Sequence, residues 1–152
     1  MTLIRRTGSL LALTLSLACS SDSILLPRQG LRFSFAQNQC GPADGPAVAI
    51  FLTRDPTNGP TPVAPYARIY IDLSGSTLDG RAHSVAPGSP DAFATFNRTA
   101  DDYEIASSGT VVATYSSADN TISGLADIVF TGAGHLVSGF KGPLFPLAAL
   151  CP

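Results

Sequence analysis

Two histidines, three cysteines, eleven carboxylates and no tryptophan are the whole stock from which this chain could build a reactive centre. His83 and His135 stand about 50 residues apart. Neither falls in a His-x-His or His-Glu-x-x-His spacing, and neither Cys40 nor Cys151 has a Cys or His close by in sequence, so no transition-metal site and no metal-binding residue is expected. Asp101, Asp102 and Glu104, or Asp55 with Asn58, offer carboxylate and amide oxygens of the kind calcium takes. Without an Asp-x-Asp-x-Asp-Gly run they read as a solvated strand edge and a turn.

Nucleophilic catalysis needs a serine or cysteine, a base, and a group that orients the base. No serine lies in Gly-x-Ser-x-Gly, so no catalytic residue is assigned. Either histidine could still meet a carboxylate through the fold. Gly132-Ala133-Gly134 lacks the third glycine and the following helix of a dinucleotide loop, so no cofactor is expected. Stacking on sugars would fall to Tyr66, Tyr70, Tyr103 or Tyr115, of which Tyr70, opposite the Ile69/Ile71 face, is the one expected to be exposed. Asn97-Arg98-Thr99 matches a glycosylation sequon.

The elements that must position these groups read as strands. In 152 residues that are 45% hydrophobic and 13% charged there is one domain's worth of chain with ample core material. Apolar residues recur at every second position: Phe33 and Phe35; Val48, Ile50 and Leu52; Ile69, Ile71 and Leu73; Tyr103 and Ile105; Val111, Ala113 and Tyr115; Ile122, Ile128 and Phe130; Leu136 and Phe140. Polar partners, such as Arg68, Asp72, Asp102, Glu104, Thr110 and Thr114, fill the alternate positions, as in antiparallel sheets with one dry and one wet face. Gly, Pro, Asn and Asp clusters punctuate the runs. The spacing predicts an all-β fold, a single antiparallel β-sandwich of about seven to nine strands over residues 31–152, with a small β-barrel as the alternative. The clearest alternation runs from Gly109 to Gly142 and predicts a three-strand meander. The apolar, proline-broken end, 143–152, is expected to lie as a lid over one end of the core.

The N-terminus carries Arg5 and Arg6, then an uncharged, mostly apolar stretch to Ala18. That order predicts a cleaved signal peptide over residues 1–18; the stretch is too short to span a bilayer. Leu15-Ser16-Leu17-Ala18-Cys19 resembles the lipobox of bacterial lipoproteins, although Ser16 and Leu17 exchange the usual aliphatic and small positions. The resemblance implies a lipidated Cys19, carrying palmitate-type acyl chains, and a flexible tether over 19–30. It also implies an exported protein anchored in the bacterial cell envelope, on its periplasmic or surface face. Residues 109–142, with Ile122-Ser123-Gly124 before a Phe-containing strand, are loosely similar to the C-terminal halves of all-β bacterial lipoproteins.

With Cys19 assigned to lipid, Cys40 and Cys151 remain as an even pair in an exported chain and are expected to form a disulfide. Loss of the two leader arginines leaves seven basic against eleven acidic residues, a net charge of −4. That balance argues against nucleic acid as a partner and against a polybasic lipid patch. The expected partners are membrane lipid through the anchor at Cys19 and an envelope protein. The role expected is a non-catalytic binding or structural module; a small envelope hydrolase is the alternative, and a barrel holding an apolar ligand the third. A binding module predicts an exposed apolar patch, a hydrolase a histidine beside a carboxylate in a concave site, and a ligand barrel a cavity of several hundred cubic ångströms.

Overall fold

The computed structural model describes residues 30–41, 45–56, 59–74 and 77–146. Cys19, Cys151, Asn58, the leader and tether up to residue 29, and 147–152 lie outside the described residues. Within them the chain forms nine strands: β1 Phe33–Cys40, β2 Pro46–Thr53, β3 Tyr66–Asp72, β4 Asp79–Val85, β5 Ala92–Asn97, β6 Tyr103–Ile105, β7 Ser108–Ser116, β8 Thr121–Phe130 and β9 Gly134–Phe145. Among the described residues there is no helix.

The strand order is β3-β2-β1-β9-β8-β7-β4-β5, and β3 then pairs with β5 over six residues, from Tyr66↔Asn97 to Ile71↔Ala92. That last ladder closes the sheet on itself. The fold is therefore an eight-stranded β-barrel, with the short β6 added on β5, and not the expected sandwich. Alternation alone cannot separate the two, because both put every second residue into a common interior. The ring is antiparallel except at β1–β9 and β4–β5, which run parallel. The meander is present as β7-β8-β9, with nine and ten residue pairs in its two ladders.

An eight-stranded barrel has an interior just wide enough for side chains to fill. Here Val48, Ile50, Ile69, Ile71, Phe96, Val111, Ile122, Ile128, Phe130 and Leu136 belong to that packed interior. Gly124 makes room in it: a Cβ there would collide with the Phe140 ring and the Val112 carbonyl.

A second cluster lies on the outer face, where Phe35 stacks on Phe51 at 4.7 Å and Tyr70 on Phe93 at 4.8 Å. Two expectations change with it. Phe35 belongs to this outer cluster while Ala36 belongs to the inner one, so the dry face of β1 is reversed; and β2 is buried on both faces from Ala47 to Thr53. On β6 the parity is reversed too. Tyr103 and Ile105 are exposed and Glu104 is half-buried, for a reason given below.

Two seams hold the ring with little backbone pairing. β1 meets β9 only at Ala36↔Leu144 and Gln37↔Phe145, and β4 meets β5 only at Val85↔Ala92. At the first seam Gly142 is required, since a Cβ there would strike the Ser34 carbonyl and the Phe35 backbone.

Candidate functional site

His83 is placed by β4, where a register shift between Asp79 and Ala82 precedes the alternation that sends His83 and Val85 inward. Its side chain is fully buried. Nδ1 lies 2.8 Å from Asp91 Oδ1. A carboxylate only accepts, so Nδ1 carries the hydrogen, and Nε2 has no hydrogen-bond partner. Nδ1–H is therefore the donor of the pair, and a hydrogen on Nε2 would be a buried donor without an acceptor, at a cost of about 1–3 kcal/mol.

Asp91, just before β5, is held from several sides. The Ser84 amide donates to its Oδ2 at 3.1 Å, and Arg81 Nη2 lies 3.6 Å from its Oδ1. Its own amide donates to Ser89 Oγ, whose hydroxyl donates to the Ser84 carbonyl. Burial pushes the Asp91 carboxyl up, but the hydrogen bonds from His83 and Ser84, with the electrostatic attraction of His83 and then Arg81, outweigh it and hold it below the usual carboxylate value. These contacts cross the β4–β5 seam, where the backbone ladder supplies a single pair. Asp91 is the polar staple of that seam.

The pair is also inverted relative to a catalytic dyad, in which a carboxylate orients a histidine whose far nitrogen meets the substrate. Here the carboxylate keeps a third of its side chain exposed while the imidazole is sealed. General-base work by His83 on an outside substrate is excluded in this geometry.

His135 meets a carboxylate as well, with Nε2 2.6 Å from Asp127 Oδ1. This pair sits on the outer wall of β8 and β9, with the Asp127 side chain 65% exposed. Glu104 is spoken for. Its carboxylate accepts the Gly132 and Ala133 amides and pairs with Arg98 Nη2 at 2.7 Å, and Arg98 also pairs with Asp102. Of the oxygens considered for calcium, those of Glu104 thus bind the β8–β9 turn, which is why Glu104 turns inward.

Beside the staple lies a cavity of about 390 Å³, lined by Tyr70, Asp72, Ser89, Pro90, Asp91 and Phe93 with Gly88 and Ala92. β3 and β5 put Tyr70 and Phe93 directly opposite each other. Tyr70, expected to be exposed, is 4% exposed. Its hydroxyl donates to the Cys40 carbonyl at 3.0 Å; burial, then the Asp72 charge, push its pKa up against Arg68, so it stays a donor. The Ser74 side chain and amide hold Asp72 below the usual carboxylate value. Sequence reading missed Asp72, Asp91 and Phe93 as a group. The available signal was His83 itself, a polar residue in the inward register of Val85 that had to find a partner.

On the far wall, Leu125, Val129 and Val137 stand 65%, 37% and 47% exposed. Val137 pairs with Asp127, between Leu125 and Val129 on the same outward face. Among the described residues no group of three or more His, Cys, Asp or Glu is placed to hold a metal ion, and no helix is long and apolar enough to cross a membrane. No family model, curated protein or solved structure matches the chain.

Proposed function

We propose that this chain is a lipid-anchored cell-envelope protein whose barrel is a non-catalytic binding module. The observation that carries the second half is the exposed aliphatic stripe of Leu125, Val129 and Val137, three large apolar side chains left in water on the best-paired part of the ring. Apolar surface of this kind is characteristic of interaction sites when it is contiguous. A hydrolase is disfavoured because the free nitrogen of His83 faces no solvent. A ligand held inside the barrel is disfavoured because the interior is filled with side chains.

The first half rests on Arg5-Arg6, the apolar stretch and the Ala18-Cys19 junction. An acylated Cys19 would give a stable anchor, each buried methylene contributing about 0.8 kcal/mol. The tether would let the barrel stand off the surface without a membrane-crossing helix. The proposed Cys40 to Cys151 disulfide has support from the first seam: β1 and β9 run parallel with Gln37 beside Phe145, so Cys40 and the tail bearing Cys151 leave the ring at the same end.

Fractionation tests the anchor. Wild type should sediment with membranes and Cys19→Ala should be soluble; a variant that remains in the membrane overturns the anchor. Photo-crosslinking from position 125 in envelope extract tests the module, expecting one dominant adduct that Val137→Lys abolishes. Absence of any adduct, or His83-dependent hydrolysis in a broad ester and amide screen, overturns it.

A further inference from the structure

The stripe of Leu125, Val129 and Val137 has a definite place relative to the start of the barrel. β1 and β9 run parallel with Ala36 beside Leu144, and six residues back along each strand are Gly30 and Ser138. The chain therefore enters the ring one strand from β9 and level with Val137, which the β8–β9 ladder sets between Leu125 and Val129. Two contacts follow nearly the same offset: the Lys141 amide donates to Ser34 Oγ at 3.1 Å, and Arg32 and Phe33 line a small cleft with Lys141 and Pro143. Phe33 is exposed as well, so the apolar surface continues from β8 and β9 onto β1. The two carboxylates along this wall already have partners, Asp127 in His135 at 2.6 Å and Asp119 in Lys141 at 3.7 Å.

Four exposed apolar side chains are much less than the roughly 800 Å² a side that a stable protein complex buries. So small a contact holds only where something else keeps the two surfaces together, as a linker does by raising the effective concentration. The proposed anchor does this for one surface. Cys19 stands eleven residues before Gly30, a span of about 40 Å at most. A bilayer holding acyl chains at Cys19 is thus always within reach of the wall beside which the chain enters. Apolar side chains that enter the boundary between headgroups and acyl chains strengthen attachment in proportion to the area they bury, and here no unmatched carboxylate opposes them.

We propose that the wall formed by β1, β9 and β8 docks on the phospholipid bilayer to which the chain is anchored, with Phe33, Leu125, Val129 and Val137 at the headgroup boundary. The tether lets the barrel stand off, and this wall brings it back to the surface. The inference rests on the reading of the chain as a lipid-anchored binding module and names the partner of its stripe. The dominant adduct formed from position 125 is then a phospholipid.

The test places the purified full-length lipoprotein in vesicles of phosphatidylethanolamine and phosphatidylglycerol, with a photo-crosslinking side chain at position 125 or at position 63. Val63 is exposed just before β3, and β3 lies two strands from β1 on one side as β8 does on the other, so the two positions differ in the wall they report and not in their distance from the tether. Mass spectrometry should find phospholipid adducts at least fivefold more abundant from 125 than from 63. Val129→Ser with Val137→Ser should lower the yield from 125 at least threefold while the protein still floats with the vesicles. Both changes are at exposed positions, so the melting temperature should not move. Equal lipid labelling from 125 and 63, or a yield from 125 that the double variant leaves unchanged, overturns the docking while a floating protein keeps the anchor. A crosslinked dimer in place of lipid assigns the stripe to a second copy. A protein adduct in envelope extract, with lipid labelling from 125 no higher than from 63, assigns it to a protein partner. Either result overturns the bilayer and leaves the binding module standing. A wild-type chain that fails to float removes the anchor, and the docking falls with it.

Discussion

At the scale of single residues, Asp91 and Glu104 do similar work at different places: each carboxylate replaces backbone pairing that the ring lacks. Asp91→Leu should leave Nδ1 of His83 as a buried donor without an acceptor beside the already unpartnered Nε2. The expected loss is about 1–3 kcal/mol, read as a lower urea midpoint with an unchanged slope. His83→Leu with Asp91→Leu should recover part of that loss, because removing both partners is gentler than removing one. A double variant no more stable than Asp91→Leu alone would mean that the His83 contact is not the source. Glu104→Ala removes the acceptor for two amides and an arginine. Gly132 and Ala133 should then exchange their amide hydrogens at least tenfold faster, with β3 amides unaffected. Uniform acceleration over the whole barrel would show that Glu104 supports more than its turn.

At the scale of elements, the ring is uneven, with long ladders through β7, β8 and β9 and two short seams. Hydrogen exchange should therefore start at Ala36, Gln37 and Ala92 and come last at the centre of β8. Gly142→Val, which drives a side chain into the β1 backbone, should open the β1–β9 seam and lower the melting temperature by more than 10 °C or prevent folding. Gly139→Ala, on an exposed position with only ordinary contacts, should change it little. Much of this was legible in the sequence. The strands on β3, β7, β8 and β9 follow their period of two, and the meander is where the alternation is cleanest. Closure was not legible, because the ladder between β3 and β5 joins segments whose patterns would suit a sandwich equally well. Parity failed on β1 and β6 for local reasons. Phe35 found an outer aromatic cluster to join, and Glu104 found a turn and an arginine to hold. The cavity was least legible of all. It is assembled from the end of β3 and the start of β5, across a turn whose prolines and glycine mark a reversal but say nothing of what the reversal brings together.

At the scale of the whole molecule, acid and reductant should act on different parts of the same stability. Asp72, Asp79, Asp91 and Asp119 are all held below the ordinary aspartate value of 3.8 in the folded chain. A carboxyl lowered on folding stabilises the fold at pH values above its unfolded pKa, and that contribution is lost as pH falls through the folded value. Stability should thus be flat above about pH 5, decline below 3.8, and decline less steeply in Asp91→Asn; a fall that begins near pH 6 would place the responsible group elsewhere. The proposed bridge acts on the unfolded chain. Cys40 lies three residues past Gln37, and Cys151 six past Phe145, the partner of Gln37 across the parallel seam. Six residues reach at most about 20 Å and three strand residues advance about 10 Å, so the tail is long enough to turn back to Cys40. Closing a loop of about 110 residues should contribute roughly 4–5 kcal/mol through the entropy of the unfolded state. Reduction, or Cys151→Ser, should then lower the unfolding free energy by that amount, read as a lower denaturant midpoint, while leaving amide exchange in β7 and β8 slower than at the β1–β9 seam. Non-reducing peptide mapping should recover Cys40 joined to Cys151, and two free thiols with an unmoved midpoint would remove the bridge from the account of why so weakly paired a seam stays shut.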